Sequence, residues 1–162
     1  MKTLPLMAAL ALALATPAAA QEVEISEDKT QVLACLDSMS NGTTWGQCVT
    51  MMFAPCAEQE PGTDPHAACL KTVHTDWFET VVTLQNAVME RASSNGRSQV
   101  VDLMGFWSTF VDQKCTEVAA AKETGAESAR LGCEISEFAG LTGEFSACLN
   151  GRSQAEYCEL SE

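Results

Sequence analysis

The stretch FWSTFVDQKC, residues 106–115, predicts how this chain folds, although it contains no obvious chemistry. Trp107 and Cys115 are eight residues apart, about two turns of an α-helix, so both side chains lie on the same side of a helix. Phe110 falls between them on that face. A buried indole contributes a large apolar area, and a disulfide at Cys115 would tie the end of this helix to the next. The stretch therefore predicts a helical core anchored by Trp107 and Phe110.

Helical spacing continues on both sides of this stretch. Apolar residues at three- and four-residue steps predict a long helix that starts at Pro65 and carries Trp77 as a third core anchor. The next helix is predicted from Arg97 to Lys122. Since the turn signal SSNG, residues 93–96, separates the two, they should be antiparallel neighbours. Trp77 and Trp107 would then lie at a similar height in this hairpin.

Shorter helices are predicted before and after the hairpin. The first runs from Glu27 to Met39, the second begins after Thr43 or Thr44 and runs to about Ala54, and a fifth runs from Glu127 to Phe138. The sequence GLTG, residues 140–143, predicts a break after the fifth helix. Strand patterns are scarce. The fold class predicted is all-α: a disulfide-stapled helical bundle with a long antiparallel helical hairpin.

The eight cysteines fall at positions that mirror one another across the predicted turns. Residues equidistant from the turn of a helical hairpin come opposite each other, so each mirrored pair can approach the Cα separation of ~5.5 Å that a disulfide requires. Many other pairings are possible for eight cysteines, and the symmetric one is a hypothesis. Its bonds are Cys35–Cys48, Cys56–Cys69, Cys115–Cys133 and Cys148–Cys158.

The N-terminus has the layout of a secretory signal peptide. Lys2 gives a short positive region, an apolar stretch follows, and Ala18-Ala19-Ala20 supplies the small residues of a cleavage site. We expect residues 1–20 to be removed and residues 21–162, 142 in number, to form a single domain. The apolar stretch is shorter than the ~20 residues of a membrane-spanning helix. Export and an even number of cysteines predict a periplasmic or secreted protein with disulfides.

The expected mature chain is strongly acidic. Without Lys2 it has 8 basic and 22 acidic residues, a net charge of −14. Such a charge repels phosphate backbones, which argues against nucleic acid as a partner, and it disfavours anionic lipid surfaces. It would steer a cationic protein toward this one. The alternative interpretation is that the acidic residues form a solvated surface that serves only solubility.

Candidate catalytic and metal-ligating residues are few. His66 and His74 are eight residues apart, too far for paired metal ligands on adjacent turns, so a hydrogen-bonded imidazole is the interpretation for His66. Motifs typical of nucleophilic catalysis, zinc proteases and phosphate binding are absent from the sequence. Acidic pairs such as Glu58 with Glu60 occur in any acidic protein and do not indicate a glycosidase. We expect no catalytic activity, no cofactor and no metal.

One set of residues resembles a known family. Trp107, Phe110, Asp112 and Cys115 have the spacing of its most recognisable stretch, and Cys133 follows at the expected distance. In these residues the chain resembles the LprI-type lysozyme-inhibitor family of small exported bacterial domains. The resemblance covers about residues 35–141. It departs at Val111, where the family has arginine, and at Met104, where it has glutamine.

The resemblance implies a helical protein that binds a lysozyme and blocks its cleft without catalytic residues. An exposed acidic or polar loop would enter the cleft, and the candidates are the acid-rich loop Glu58–Asp64 and the turn Ser93–Arg97. The alternative is a structural or envelope interaction module of unknown partner that has lost inhibition, with Val111 and Met104 as traces of that loss. A third possibility is a hydrolase that acts on the cell wall.

Overall fold

The structure is a computed structural model that describes residues 26–38 and 44–160, and these residues form an all-α fold. The α-helices are α1 (Glu27–Asp37), α2 (Trp45–Met52), α3 (Asp64–Arg91), α4 (Ser94–Ala120) and α5 (Ala126–Leu149). Short 3-10 helices, Ala54–Cys56 and Glu156–Cys158, follow α2 and α5. The only β pairing among the described residues is an isolated bridge between Ala92 and Leu160. The predicted disulfide-stapled helical bundle is confirmed.

The last long helix, α5, is the centre of the bundle. It packs along both α3 and α4, whereas α3 and α4 have few contacts with each other, and α1 and α2 lie on α5 as well. A helix that is apolar on more than one face must be enclosed. The second half of α5 approaches this condition, because its buried residues between Phe138 and Cys148 cover about half of the helix circumference. The arms of the predicted hairpin are therefore not close neighbours along their length, because α5 packs against both of them.

The predicted break at GLTG is wrong, because α5 continues through Gly140 and Gly143. A side chain added at Gly140 would contact Trp45 of α2, and one added at Gly143 would contact Leu36 of α1, each at 3.7 Å. Glycine lowers the intrinsic stability of a helix by about 1 kcal/mol. Here the burial of the flanking residues and the packing of α1 and α2 outweigh that cost.

N-cap residues determine where α3 and α4 begin, and the turn between these helices is shorter than predicted. Thr63 caps the start of α3, where its side chain accepts a hydrogen bond from the His66 backbone N–H. Ser93 caps α4, and its hydroxyl accepts from the Gly96 backbone N–H at 3.1 Å. Because serine at an N-cap satisfies one of the free donors of the first turn, α4 begins at Ser94 instead of Arg97.

Four disulfides join neighbouring elements, with Cα separations between 5.0 and 5.8 Å. They form the bonds of the symmetric pairing: Cys35–Cys48, Cys56–Cys69, Cys115–Cys133 and Cys148–Cys158. Disulfides in this number are typical of proteins that fold outside the cytoplasm, which indicates an extracytoplasmic protein. Among the described residues, no helix combines the length and apolar character needed to cross a bilayer. The predicted signal peptide, residues 1–20, lies outside the described residues.

The three predicted core anchors differ in burial. Trp77 is buried and Trp107 is partly buried against the core, but the side chain of Phe110 is 46% exposed. Phe110 is therefore not a core residue. The buried face of α4 passes through Val111 and Cys115, and consecutive residues of a helix point ~100° apart, so Phe110 is turned to the edge of that face.

Candidate functional site

The two predicted contact loops lie at opposite ends of the bundle. The acid-rich loop precedes α3, at the end where α4 finishes and α5 begins, whereas the turn Ser93–Arg97 lies where α3 finishes. The acid-rich loop meets the loop between α4 and α5. We call residues 57–64 and 121–127 together the acidic end.

A close contact between two glycines holds the loops of the acidic end together. Gly62 and Gly125 both have positive φ angles, 83° and 68°, a conformation that glycine adopts without steric cost. A Cβ atom at Gly125 would lie only 2.7 Å from the Gly62 Cα. The two loops therefore touch backbone to backbone and form one continuous surface.

Five residues with carboxylates lie within four positions of Gly62 or Gly125 in the sequence, and all five are exposed. They are Glu58, Glu60, Asp64, Glu123 and Glu127. Lys122 is the single basic residue in these two segments of the sequence. Within the described part of the chain, none of the five carboxylates forms an ion pair. The acidic end is therefore a local concentration of uncompensated negative charge.

Covalent bonds and hydrogen bonds constrain the acidic end. Cys56–Cys69 links the segment before the acid-rich loop to α3, and Cys115–Cys133 links α4 to α5 below the second loop. The Gly62 backbone N–H donates to His66 Nδ1 at 3.4 Å. His66 is partly buried and hydrogen-bonded, so its imidazole supports the loop. A loop held in one conformation loses less entropy when it binds a partner.

The second histidine belongs to a polar network that crosses the bundle. His74 Nε2 of α3 lies 2.8 Å from Glu134 Oε2 of α5, and the His74 ring centroid is 4.9 Å from that of Phe138. Arg130 contacts both Glu134 and Asp112 of α4. His74, Glu134 and Asp112 belong to α3, α5 and α4, so this network links three helices. The described residues contain no group of three or more His, Cys, Asp or Glu side chains that could hold a metal ion.

The other candidate loop, Ser93–Arg97, is partly covered by the C-terminal segment. Ala92 bridges to Leu160, and Asn95 Nδ2 donates to Glu156 Oε1 at 3.3 Å. Tyr157 donates from its hydroxyl to Glu144 Oε1 at 3.0 Å. Burial raises the pKa of the Tyr157 hydroxyl well above its ordinary value, and the Glu144 carboxylate acts in the same direction through its charge and its hydrogen bond. The acidic end is therefore the more accessible of the two candidates.

The two departures from the family pattern lie toward the core side of α4. Val111 is buried, and Met104 is partly buried against the core. An arginine at position 111 would need a partner for its charge in that environment. Neither position belongs to the acidic end.

The contact between the two glycines gives a direct test of the acidic end. Gly125→Ala is expected to lower the free energy of unfolding by about 2 kcal/mol, because the new Cβ meets Gly62 and the backbone angle is unfavourable for alanine. The matched control is Gly105→Ala in α4, where an added Cβ meets nothing within 4 Å. That variant should be more stable by ~0.5–1 kcal/mol. Urea unfolding measures both, and equal stabilities would contradict the close contact.

The comparisons with known proteins do not assign this chain to a family. The resemblance to lysozyme inhibitors thus depends on the spacing of the tryptophan, phenylalanine, aspartate and cysteine residues alone. No protein-family model matches the chain, and neither a curated protein nor a solved structure matches it.

Proposed function

We propose that this protein is an exported binding protein that inhibits a lysozyme, with the acidic end as the surface that enters the substrate cleft. The observation that supports this proposal most is the pair of loops in contact at Gly62 and Gly125, which carries five exposed carboxylates without an ion pair among the described residues. Its compartment would be the periplasm or the exterior of the cell. Inhibition of this kind requires an obstructing surface and no catalytic residue.

The charge of the chain favours a basic partner. Lysozymes are typically strongly basic. An acidic protein with a net charge of −14 in its expected mature form would be steered toward such an enzyme and would meet it faster at low salt. The carboxylates of the acidic end can then form hydrogen-bonded ion pairs with basic residues at the rim of the cleft.

The proposal is tested by adding purified mature protein, residues 21–162, to lysozyme and following the clearing of a cell-wall suspension. We expect inhibition at micromolar protein and low salt, and weaker inhibition as the salt concentration rises. The variant E58Q/E60Q/E123Q is expected to need about ten times more protein for the same inhibition, because it removes three carboxylates that face the partner.

A matched variant separates the acidic end from general charge. E79Q/E90Q/E159Q removes three exposed carboxylates outside the acidic end and has the same net charge as the first variant. It should inhibit nearly as well as the unchanged protein, since only long-range steering is reduced. Equal losses in the two variants would exclude the acidic end as the contact surface, and no inhibition by the unchanged protein would end the lysozyme proposal.

The alternative is an envelope interaction module that shares the fold and has no inhibitory activity. Val111 and Met104, where the family pattern has polar residues, favour this alternative. It predicts an intact acidic end and no effect on the clearing assay at any salt concentration.

A further inference from the structure

A pair of exposed aromatic rings lies on the outer side of α4. The side chains of Phe106 and Phe110 are 73% and 46% exposed. Their ring centroids are 6.4 Å apart and the ring planes differ by only 10°. We call these two residues the aromatic stripe. Large apolar side chains in such a position are costly to hydrate, and two parallel rings with exposed surface form a potential contact site.

One ring of the stripe already interacts with a cation of the chain itself. Lys114 Nζ lies 5.6 Å from the centroid of the Phe110 ring. The same ammonium group donates to Glu137 Oε1 at 2.6 Å. A cation over an aromatic ring is attracted by the negative face of the ring, and here the contact is combined with a carboxylate. The ring of Phe106 has no cation over it in the part of the chain that the structure describes.

Carboxylates lie before and after the stripe on the same face of α4. Asp102 is one turn before Phe106, and Glu117 is about two turns after Phe110. Both are exposed. Asp102 has no ion-pair partner among the described residues, and Glu117 accepts a hydrogen bond from Gln113 Nε2 at 3.3 Å. The stripe is therefore an apolar surface with a carboxylate beyond each end and the Lys114 ammonium over one of its rings.

We propose that the aromatic stripe is a docking surface for a cationic segment of a protein partner. An arginine of that segment stacks on Phe106, in a position like that of the Lys114 ammonium over Phe110, and neighbouring basic residues pair with Asp102 and Glu117. Arginine suits this surface better than lysine because its planar guanidinium stacks on a ring and still donates hydrogen bonds to carboxylates.

The net charge of the chain favours a cationic protein segment over a second copy of the chain or an anionic lipid surface. A second copy would bring another acidic surface, with a formal charge of −13 for the whole chain, and an anionic lipid surface would be repelled in the same way. Phe106 is fourteen residues before the end of α4, which is ~20 Å along the helix. The ring of Phe106 is thus set back from the acidic end, whereas Glu117 is only four residues before Ala121, where the acidic end begins. This proposal does not depend on lysozyme inhibition.

The test measures binding of fluorescein-labelled oligo-arginine and oligo-lysine peptides by fluorescence anisotropy. Phe106→Ala is expected to weaken binding of the arginine peptide about two- to fivefold and binding of the lysine peptide less. Phe106→Trp should restore or strengthen it, because indole is the best ring for a cation. Val101→Ala is the matched control: Val101 is also on α4 and 55% exposed, but it points ~140° away from Phe106, so this variant should bind as the unchanged protein does.

Two results would overturn the proposal. One is equal binding by Phe106→Ala and Val101→Ala, which would mean that charge alone attracts the peptides. The other is failure of Phe106→Trp to bind better than Phe106→Ala. Adding E58Q/E60Q/E123Q to each protein should leave the ratio between Phe106→Ala and its parent unchanged. If that ratio disappears, the contribution of Phe106 depends on the acidic end, and the stripe is not a docking surface of its own.

Discussion

Replacing Phe138 by alanine is expected to lower the free energy of unfolding by about 3–5 kcal/mol. Phe138 is a residue of α5 and is only 3% exposed. Its ring centroid lies 4.9 Å from that of His74 and 5.9 Å from that of Phe78, both on α3, and 5.7 Å from that of Trp107 on α4. Since α3 and α4 have few contacts with each other, this ring fills much of the space between them, and its loss leaves a cavity that three helices border.

Urea unfolding followed by circular dichroism measures this effect. Phe106→Ala is the matched control, because it makes the same chemical change at a ring that is 73% exposed; it should change the free energy of unfolding by less than ~1 kcal/mol. Phe138→Leu keeps most of the apolar volume and should fall between the two. Similar losses for Phe138→Ala and Phe106→Ala would contradict the central role of Phe138.

The importance of Phe138 could not be predicted from the sequence. The buried residues of α5 continue in three- and four-residue steps beyond Phe138, but Thr142 and Ser146 in this stripe are polar, so the apolar pattern in the sequence weakens there. Gly140 and Gly143 added a local signal for a break, and tertiary packing overrides that signal. The sequence therefore predicts a helix up to Phe138 but not that α5 is the centre of the bundle.

The cysteine pairing and the helices of the bundle were easier to predict because they depend on local spacing. Each disulfide joins cysteines that are 10 to 18 residues apart, so symmetry about one turn is enough to indicate its partner. Phe110 shows the limit of such reasoning. Its spacing from Trp107 and Cys115 fits one face of α4, but a rotation of ~100° between Phe110 and Val111 decides which of them is buried.

The candidate site was predicted only in part. The acid-rich loop was recognised by its composition, and its charges are exposed as expected. Its contact with the loop after α4 joins Gly62 to Gly125, which are far apart in the sequence. A contact of that kind depends on how α3, α4 and α5 pack, so no local pattern indicates it.

Removing the disulfide between α4 and α5 is expected to have the second large effect. Cys115→Ala/Cys133→Ala should lower the free energy of unfolding by about 3 kcal/mol, since the bond closes a loop of 18 residues and restricts the unfolded chain. Cys115 is fully buried, so its truncation also removes packed volume from the core. The bond holds the loop that carries Gly125, and its loss should loosen the acidic end.

A second disulfide variant distinguishes the general effect from the local one. Cys148→Ala/Cys158→Ala opens a loop of 10 residues at the opposite end of the bundle, so the chain-entropy model gives a similar loss of stability for it, slightly below 3 kcal/mol. Limited proteolysis under native conditions should then cut residues 121–125 faster only in Cys115→Ala/Cys133→Ala. Equal cutting in the two variants would mean that the Gly62–Gly125 contact alone holds the loop. A loss below ~1 kcal/mol for Cys115→Ala/Cys133→Ala would contradict a role for this bond in stability. The chain-entropy model assumes that the bond restricts the unfolded chain and does not strain the folded state, so no relief of strain offsets the loss.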